Sequence, residues 1–225
     1  HHTNEIAQSE SYLGHKWCNY WFHVHHLNTE GGKMSKSKGE FLTVSLLESK
    51  GYDPMAYRLF CLQSHYRRNL VFSWENLDNA VVAYDKLVAK IATLKNEGAV
   101  DTEAFDSLKE RFVGALNGDL NTSLAVTAVY DALKAKCNDA TKLALIADFD
   151  KVLSLNLISA AEKLAAKQAA EEAANADPEI DAMVAQRTEA KKAKNWAEAD
   201  RIRDELKARG IEIIDTPQGT KWRKV

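Results

Sequence analysis

Four stretches between Ser73 and Leu153 place an apolar residue at every third or fourth position. In the first, Leu77, Ala80, Val81, Tyr84, Leu87, Val88, Ile91 and Leu94 fall on one stripe, with Ser73 placed to cap the start and Gly98 to end it. Phe105, Leu108, Phe112, Ala115 and Leu116 form the second stripe, and Leu124, Ala128, Val129, Ala132 and Leu133 the third. Leu143, Ile146, Phe149 and Leu153 form the fourth. Joined by short connections, such amphipathic segments predict an antiparallel helical bundle and a mainly α fold. Just upstream, Pro54 suits the first helical position, and Ala56, Leu59, Phe60 and Leu62 give a short apolar helix.

The pattern changes after the bundle. Residues 159–177 are Ala-rich, with strong helix propensity but no large apolar stripe, and read as a linker. Residues 178–225 read as a small α/β module. Its first helix starts at "DPEID", and its second starts at "NWAE", where Asn195 and Glu198 have capping-box spacing. Ala199, Ile202 and Leu206 form the buried stripe of that second helix, with Gly210 at C′. A hairpin then turns around "TPQG", using Pro217 and Gly219.

Charge is distributed unevenly. Residues 185–225 hold eleven Lys/Arg against seven Asp/Glu, within a chain of formal net charge −2. A basic tail on an acidic body is compatible with a polyanionic partner or with solvated helix faces. No run of 18 apolar residues occurs, so no membrane span is expected. Cys18, Cys61 and Cys137 show no paired spacing, which points to a reducing compartment and a cytoplasmic location.

Residues 1–40 look like a piece of something larger. They hold six of the seven histidines, without clean periodicity, and then "EGGKMSKSKGE". Gly31 and Gly32 give that loop freedom, and Lys33 and Lys36 flank Met34 and Ser35. Two ammonium groups on a flexible loop suit a clamp on phosphates, where a positioned lysine stabilises charge growing on departing pyrophosphate. A solvated basic loop is the alternative. In "WFHVHHL", strand-like alternation puts His23 and His25 on one face, and Trp21 and Trp74 are expected in the core. Trp196, beside Lys191, Lys192 and Lys194, has the composition of a base-stacking platform, or of a tryptophan packing a small core.

"KMSKS" at 33–37 resembles the second signature of class I aminoacyl-tRNA synthetases. "HHTNEIAQSE", "YWFHVHHL", "DPMAYRLFCLQSHYRRNLVFSWENL", "NGDLNTSLA" and "RTEAKKAKNWAEADRIRDELKARGIEIIDTPQGTKWR" resemble bacterial cysteinyl-tRNA synthetases, in the family's order and nearly end to end. The resemblance implies ATP-dependent attachment of cysteine to tRNA-Cys through a cysteinyl adenylate. It makes residues 1–40 the end of the catalytic domain, 41–158 the stem-contact region and bundle, and 178–225 the anticodon-binding module. Lys33 and Lys36 would be catalytic, with Met34, Ser35, Lys36 and Ser37 contacting ATP and its Mg.

The family's zinc, which takes the substrate thiol, implies His1 and Glu5 as ligands, one helical turn apart. Thr3 replaces the family's first Glu of that segment, and Glu40 stands where an Asn usually follows "SKG". Two cysteine ligands and the His-Ile-Gly-His-type motif belong to a half of the catalytic domain that this chain lacks, so the chain alone is expected to be inactive. The family reads its anticodon with residues at Lys191, Trp196, Asp200 and Asp215. An Arg is usual at 191, and lysine cannot make the same bidentate contact. Partners implied are tRNA-Cys, ATP and cysteine, with no membrane and a monomeric state. Two rivals remain: a paralogous cysteine ligase acting on an amino sugar, which needs no anticodon module, and an RNA-binding or structural helical fragment.

Overall fold

A computed structural model describes residues 2–29, 32–33, 42–175, 177–216 and 219–224. The chain divides into two compact units, 1–162 and 163–225. None of its described helices is long and apolar enough to cross a membrane.

The first unit opens with α1 (Thr3–Leu13), which ends at Gly14 in the left-handed conformation. Strand β1 (Leu27–Thr29) pairs antiparallel with β2 (Gly32–Lys33) and parallel with β3 (Leu70–Phe72). Helices α2 (Val44–Ser49) and α3 (Pro54–Leu62) cross between β1 and β3. Thr43 caps α2, its side chain accepting from the Leu46 N–H, and Asp53 caps α3 through the Met55 N–H, with Pro54 at N1. Leu47, Phe60, Phe72, Leu77 and Ala80 form one core cluster beneath this sheet.

The expected bundle follows as α4 (Trp74–Ala92), α5 (Thr102–Asn117), α6 (Thr122–Lys134) and α7 (Asp139–Leu153). Ser73 caps α4 as its sequence position suggests. The helix stops at Ala92, however, well before Gly98, because the following residues turn towards α7: the Lys95 N–H bonds Asp139 Oδ2 at 3.3 Å. Asn138 Oδ1 caps α7 through the Thr141 N–H, while Asn138 Nδ2 holds the Ala99 carbonyl at 2.7 Å. Thr141, fully buried, donates its hydroxyl to Asn138 Oδ1 and accepts the Asp101 N–H at 2.8 Å. Phe112 of α5 stacks on Phe149 of α7, centroids 4.2 Å apart. Leu124, assigned to the third stripe, is exposed in the first turn of α6, whereas Val126 and Leu145, outside the stripes, are buried.

Asp150 closes the end of α7, accepting from the N–H groups of Leu155 at 2.6 Å and Leu157 at 2.8 Å across a turn in which Ser154 and Asn156 have positive φ. Helix α8 (Leu157–Asn175) covers most of the Ala-rich stretch read as a linker. In the second unit, α9 (Pro178–Lys192) and α10 (Trp196–Ala208) precede the hairpin of β4 (Ile211–Thr216) and β5 (Gly219–Lys224). Ile180, Val184, Ile202, Leu206 and Ile211 form its core, with Met183, Ile213 and Trp222 against them. Gly210, at φ +72°, makes the C′ turn that releases β4, as its position suggested. Pro217, assigned to the hairpin turn, lies outside the described residues.

Candidate functional site

Two regions carry the sequence-derived site residues, one in each unit. In the first, β1 and β2 deliver the chain to the basic loop: Asn28 pairs with Lys33, and Thr29 with Gly32. This fixes the backbone of Lys33 in the edge strand of a three-stranded sheet. Met34, Ser35, Lys36 and Ser37 lie outside the described residues. The sheet is tied from the other side by Asn28 Nδ2 donating to Asn69 Oδ1 at 2.5 Å.

His1 also lies outside the described residues, and Glu5 is exposed on α1. Glu5 Oε2 is 3.9 Å from His2 Nδ1, and His2 Nε2 is 2.9 Å from His23 Nε2. His2 further stacks on Trp21 at 4.6 Å. The segment around His23 is irregular rather than a strand, with the Tyr66 carbonyl accepting the His25 N–H beside it. Trp21 and Trp74, expected in the core, are 41% and 37% exposed. Trp74 lies at the rim of its unit's core, its ring covered in part by Tyr52 and Lys50. A structural zinc requires four donors. Among the described residues no group of three or more His, Cys, Asp or Glu could hold a metal ion, so those residues do not by themselves fit one.

In the second unit the site grows from the α9–α10 turn. Asn195 Oδ1 accepts the Glu198 N–H at 3.3 Å, but in place of the reciprocal half of the expected capping box the Asn195 N–H donates to the Ala190 carbonyl at 2.8 Å and the Glu198 carboxylate pairs with Arg201 at 2.7 Å. Capping there starts α10 at Trp196, whose indole is 59% exposed. This disposes of the packed-core alternative for Trp196. The module's packed tryptophan is Trp222, whose Nε1 donates to Asp181 Oδ1 at 2.7 Å. Asp200 sits one turn along α10, exposed, with Arg203 Nη1 at 3.0 Å.

Asp215, near the end of β4, is surrounded by donors. Arg187 grips it with both terminal nitrogens, Nη1 to Oδ1 at 3.0 Å and Nη2 to Oδ2 at 3.2 Å. Lys191 Nζ donates to Oδ2 at 2.8 Å, and Thr220, its cross-strand partner, donates to Oδ1 at 2.9 Å. Hydrogen bonds from Arg187, then Lys191 and Thr220, hold this carboxyl well below the usual carboxylate range. The sequence brought Lys191 and Asp215 forward but missed Arg187. Its spacing of four from Lys191, which puts both on one face of α9, was the available signal. The structure thus brings Lys191 and Asp215 into contact and leaves Trp196 and Asp200 exposed on α10.

Residues 1–82 match the family model for the class I (C) tRNA synthetase catalytic domain, and residues 173–223 match the cysteinyl-tRNA ligase anticodon binding domain. Both matched domains are parts of class I aminoacyl-tRNA synthetases. The cysteine–tRNA ligase of Symbiobacterium thermophilum is 39% identical over 100% of this chain and 50% of its own length. That of Halorhodospira halophila is 40% identical over 100% of this chain and 49% of its own, and that of Brevibacillus brevis 37% over 100% and 50%. The chain belongs to the cysteinyl-tRNA ligase family, as its C-terminal portion. It spans about half the length of the relatives it matches.

Proposed function

We propose that this chain is the tRNA-reading and KMSKS-bearing part of an enzyme that joins cysteine to tRNA-Cys, using ATP with Mg and passing through a cysteinyl adenylate. The observation that carries this reading is the pairing, on one chain, of the lysine-rich 33–37 motif with a module that presents Trp196 at a helix start just after Lys191, Lys192 and Lys194. Lys33 and Lys36 would meet the charge that develops on pyrophosphate as the cysteine carboxylate attacks the α-phosphorus, with Met34, Ser35 and Ser37 shaping the ATP contact. Trp196 would stack on an anticodon base, Asp200 and Asp215 would contact base edges, and Lys191 would line the same anticodon-binding site. Zinc, when present, would supply a Lewis-acid centre that takes the substrate thiolate as a soft ligand, with His1 and Glu5 as this chain's donors. We place the enzyme in the cytoplasm, acting as a monomer. The anticodon-domain match at 173–223 favours tRNA over an amino sugar as acceptor.

The chain on its own should not activate cysteine, since its sequence holds no His-x-Gly-His string. The deciding experiment measures binding of cysteine tRNA and an anticodon-swapped copy to this chain, together with cysteine-dependent ATP–pyrophosphate exchange by the full-length protein carrying Lys36→Ala. Preferential binding of cysteine tRNA and a loss of exchange of about two to three orders of magnitude are expected. Equal binding of the two tRNAs, or unaltered exchange, overturns the reading.

A further inference from the structure

A carboxylate has about four lone-pair positions for hydrogen bonds, and at Asp215 all four are filled. Arg187 takes one on each oxygen, Thr220 a second on Oδ1, and Lys191 a second on Oδ2. An Asp215 in this state has nothing left to offer a base edge. Resting on the reading of this module as the anticodon reader, we propose that Lys191 is a displaceable cation that occupies the base-reading position of Asp215 in the free protein, and that Arg187 is the positioning residue that keeps the carboxylate in place when Lys191 leaves.

The three donors differ in how readily they can go. Arg187 is 8% exposed, its Nε has no hydrogen-bond partner among the described residues, and Asp215 is the carboxylate it pairs with. Releasing Asp215 would strand a buried guanidinium without a counter-charge, so that grip stays. Thr220 is held opposite Asp215 by the strand register. Lys191 has a side chain 37% exposed, on the last turn of α9, and its ammonium is a single flexible point contact. It can exchange Asp215 for a phosphate or for water while a base N–H takes its place on Oδ2. The triad of two cations and one anion carries a net positive charge, and with Lys191 turned away the pair left behind is neutral. A neutral, doubly anchored acceptor discriminates by hydrogen-bond geometry, whereas a free ammonium attracts every RNA alike.

The test uses the full chain, with fluorescent anticodon stem-loops of cysteine tRNA and of an anticodon-swapped copy, and the variants Lys191→Met and Asp215→Asn. The readout is the ratio of the two affinities, in which the general loss of one cation cancels. Lys191→Met should raise that ratio about three- to tenfold, and Asp215→Asn should bring it towards one with or without Lys191. A ratio that falls in Lys191→Met would mean that Lys191 itself reads a base, and an unchanged ratio, with Asp215→Asn still losing discrimination, would mean that it is not in the way. Either result overturns the exchange while leaving anticodon recognition intact. Equal binding of the two stem-loops by the wild type would instead remove the anticodon reading, and the exchange with it. Independently of any variant, the Lys191 ammonium resonance in nitrogen-15 spectra should shift with the cysteine stem-loop and not with the swapped one. No difference between the two overturns the proposal.

Discussion

Asp119 receives the Arg67 Nε at 2.7 Å and the Tyr66 hydroxyl at 2.6 Å, from residues more than fifty positions earlier in the chain. It does so from a backbone with φ +61°, followed by Leu120 at φ +53°, two consecutive residues in a region that L side chains avoid. That cost is met by tying the 64–68 turn to the α5–α6 connection; Thr122 Oγ1 adds a bond to the Ser64 carbonyl at 3.3 Å.

The same contact makes stability depend on acid. Hydrogen bonds from Arg67 and then Tyr66 lower the Asp119 pKa from 3.8 to about 2. A carboxyl depressed in the folded state binds protons more readily when unfolded, so its contribution is complete above about pH 4 and is lost as pH falls through 3.8 towards 2. Urea midpoints of wild type and Asp119→Asn should differ at pH 6 and converge near pH 2. A constant gap across that range would show that the ion contact is not the cause.

Phe149 is fully buried against Phe112. Phe149→Ala should cost about 3–5 kcal/mol in urea unfolding, whereas Leu124→Ala, at an exposed position of the same bundle, should change stability by no more than about 0.5 kcal/mol. Similar costs at the two positions would contradict the assigned core.

Tyr84 donates its hydroxyl to the Leu155 carbonyl at 2.8 Å inside the bundle, 71 residues away in sequence. Burial pushes its pKa up to about 12. Tyr84→Phe leaves the carbonyl unpaired and should cost about 1–2 kcal/mol, measured by thermal unfolding. No loss at all would indicate that the carbonyl finds another donor.

Trp196→Ala should leave the unfolding midpoint unchanged, because the indole is largely exposed. Affinity for cysteine tRNA should nonetheless fall by about 1–3 kcal/mol if a base stacks there. Destabilisation of the module without a binding effect would assign the indole to packing instead.

Helices were legible wherever a stripe and a start signal agreed, as at Ser73, Pro54 and Asn195. What escaped depended on distant partners. β1 is a strand because β3 lies parallel to it across two helices, and nothing local to Leu27 announces Leu70. Alternation around His23 does not make a strand: the backbone there is irregular, with the His25 N–H on the Tyr66 carbonyl. Gly98 looked like a helix end because glycine takes positive φ, which it does here at +93°, yet the helix had already been turned aside by α7. In the second unit, composition brought out the exposed Trp196, whereas the Arg187 grip on Asp215 could be seen only once α9 and β4 were side by side. The lysine loop was readable as a motif alone.

Asn138 begins α7 and, with its other side-chain atom, holds the Ala99 carbonyl. Unravelling the first turn of α7 and freeing the connection after α4 are therefore one event. Local opening is set by whichever bonds must break together, and here a surface loop that would ordinarily breathe at little cost shares its fate with a helix whose next residue but two is the fully buried Thr141. A protease searching the surface would meet this connection as part of the core's cooperative unit, held by the Asn138 amide together with the bonds from Lys95 to Asp139 and from Asp101 to Thr141.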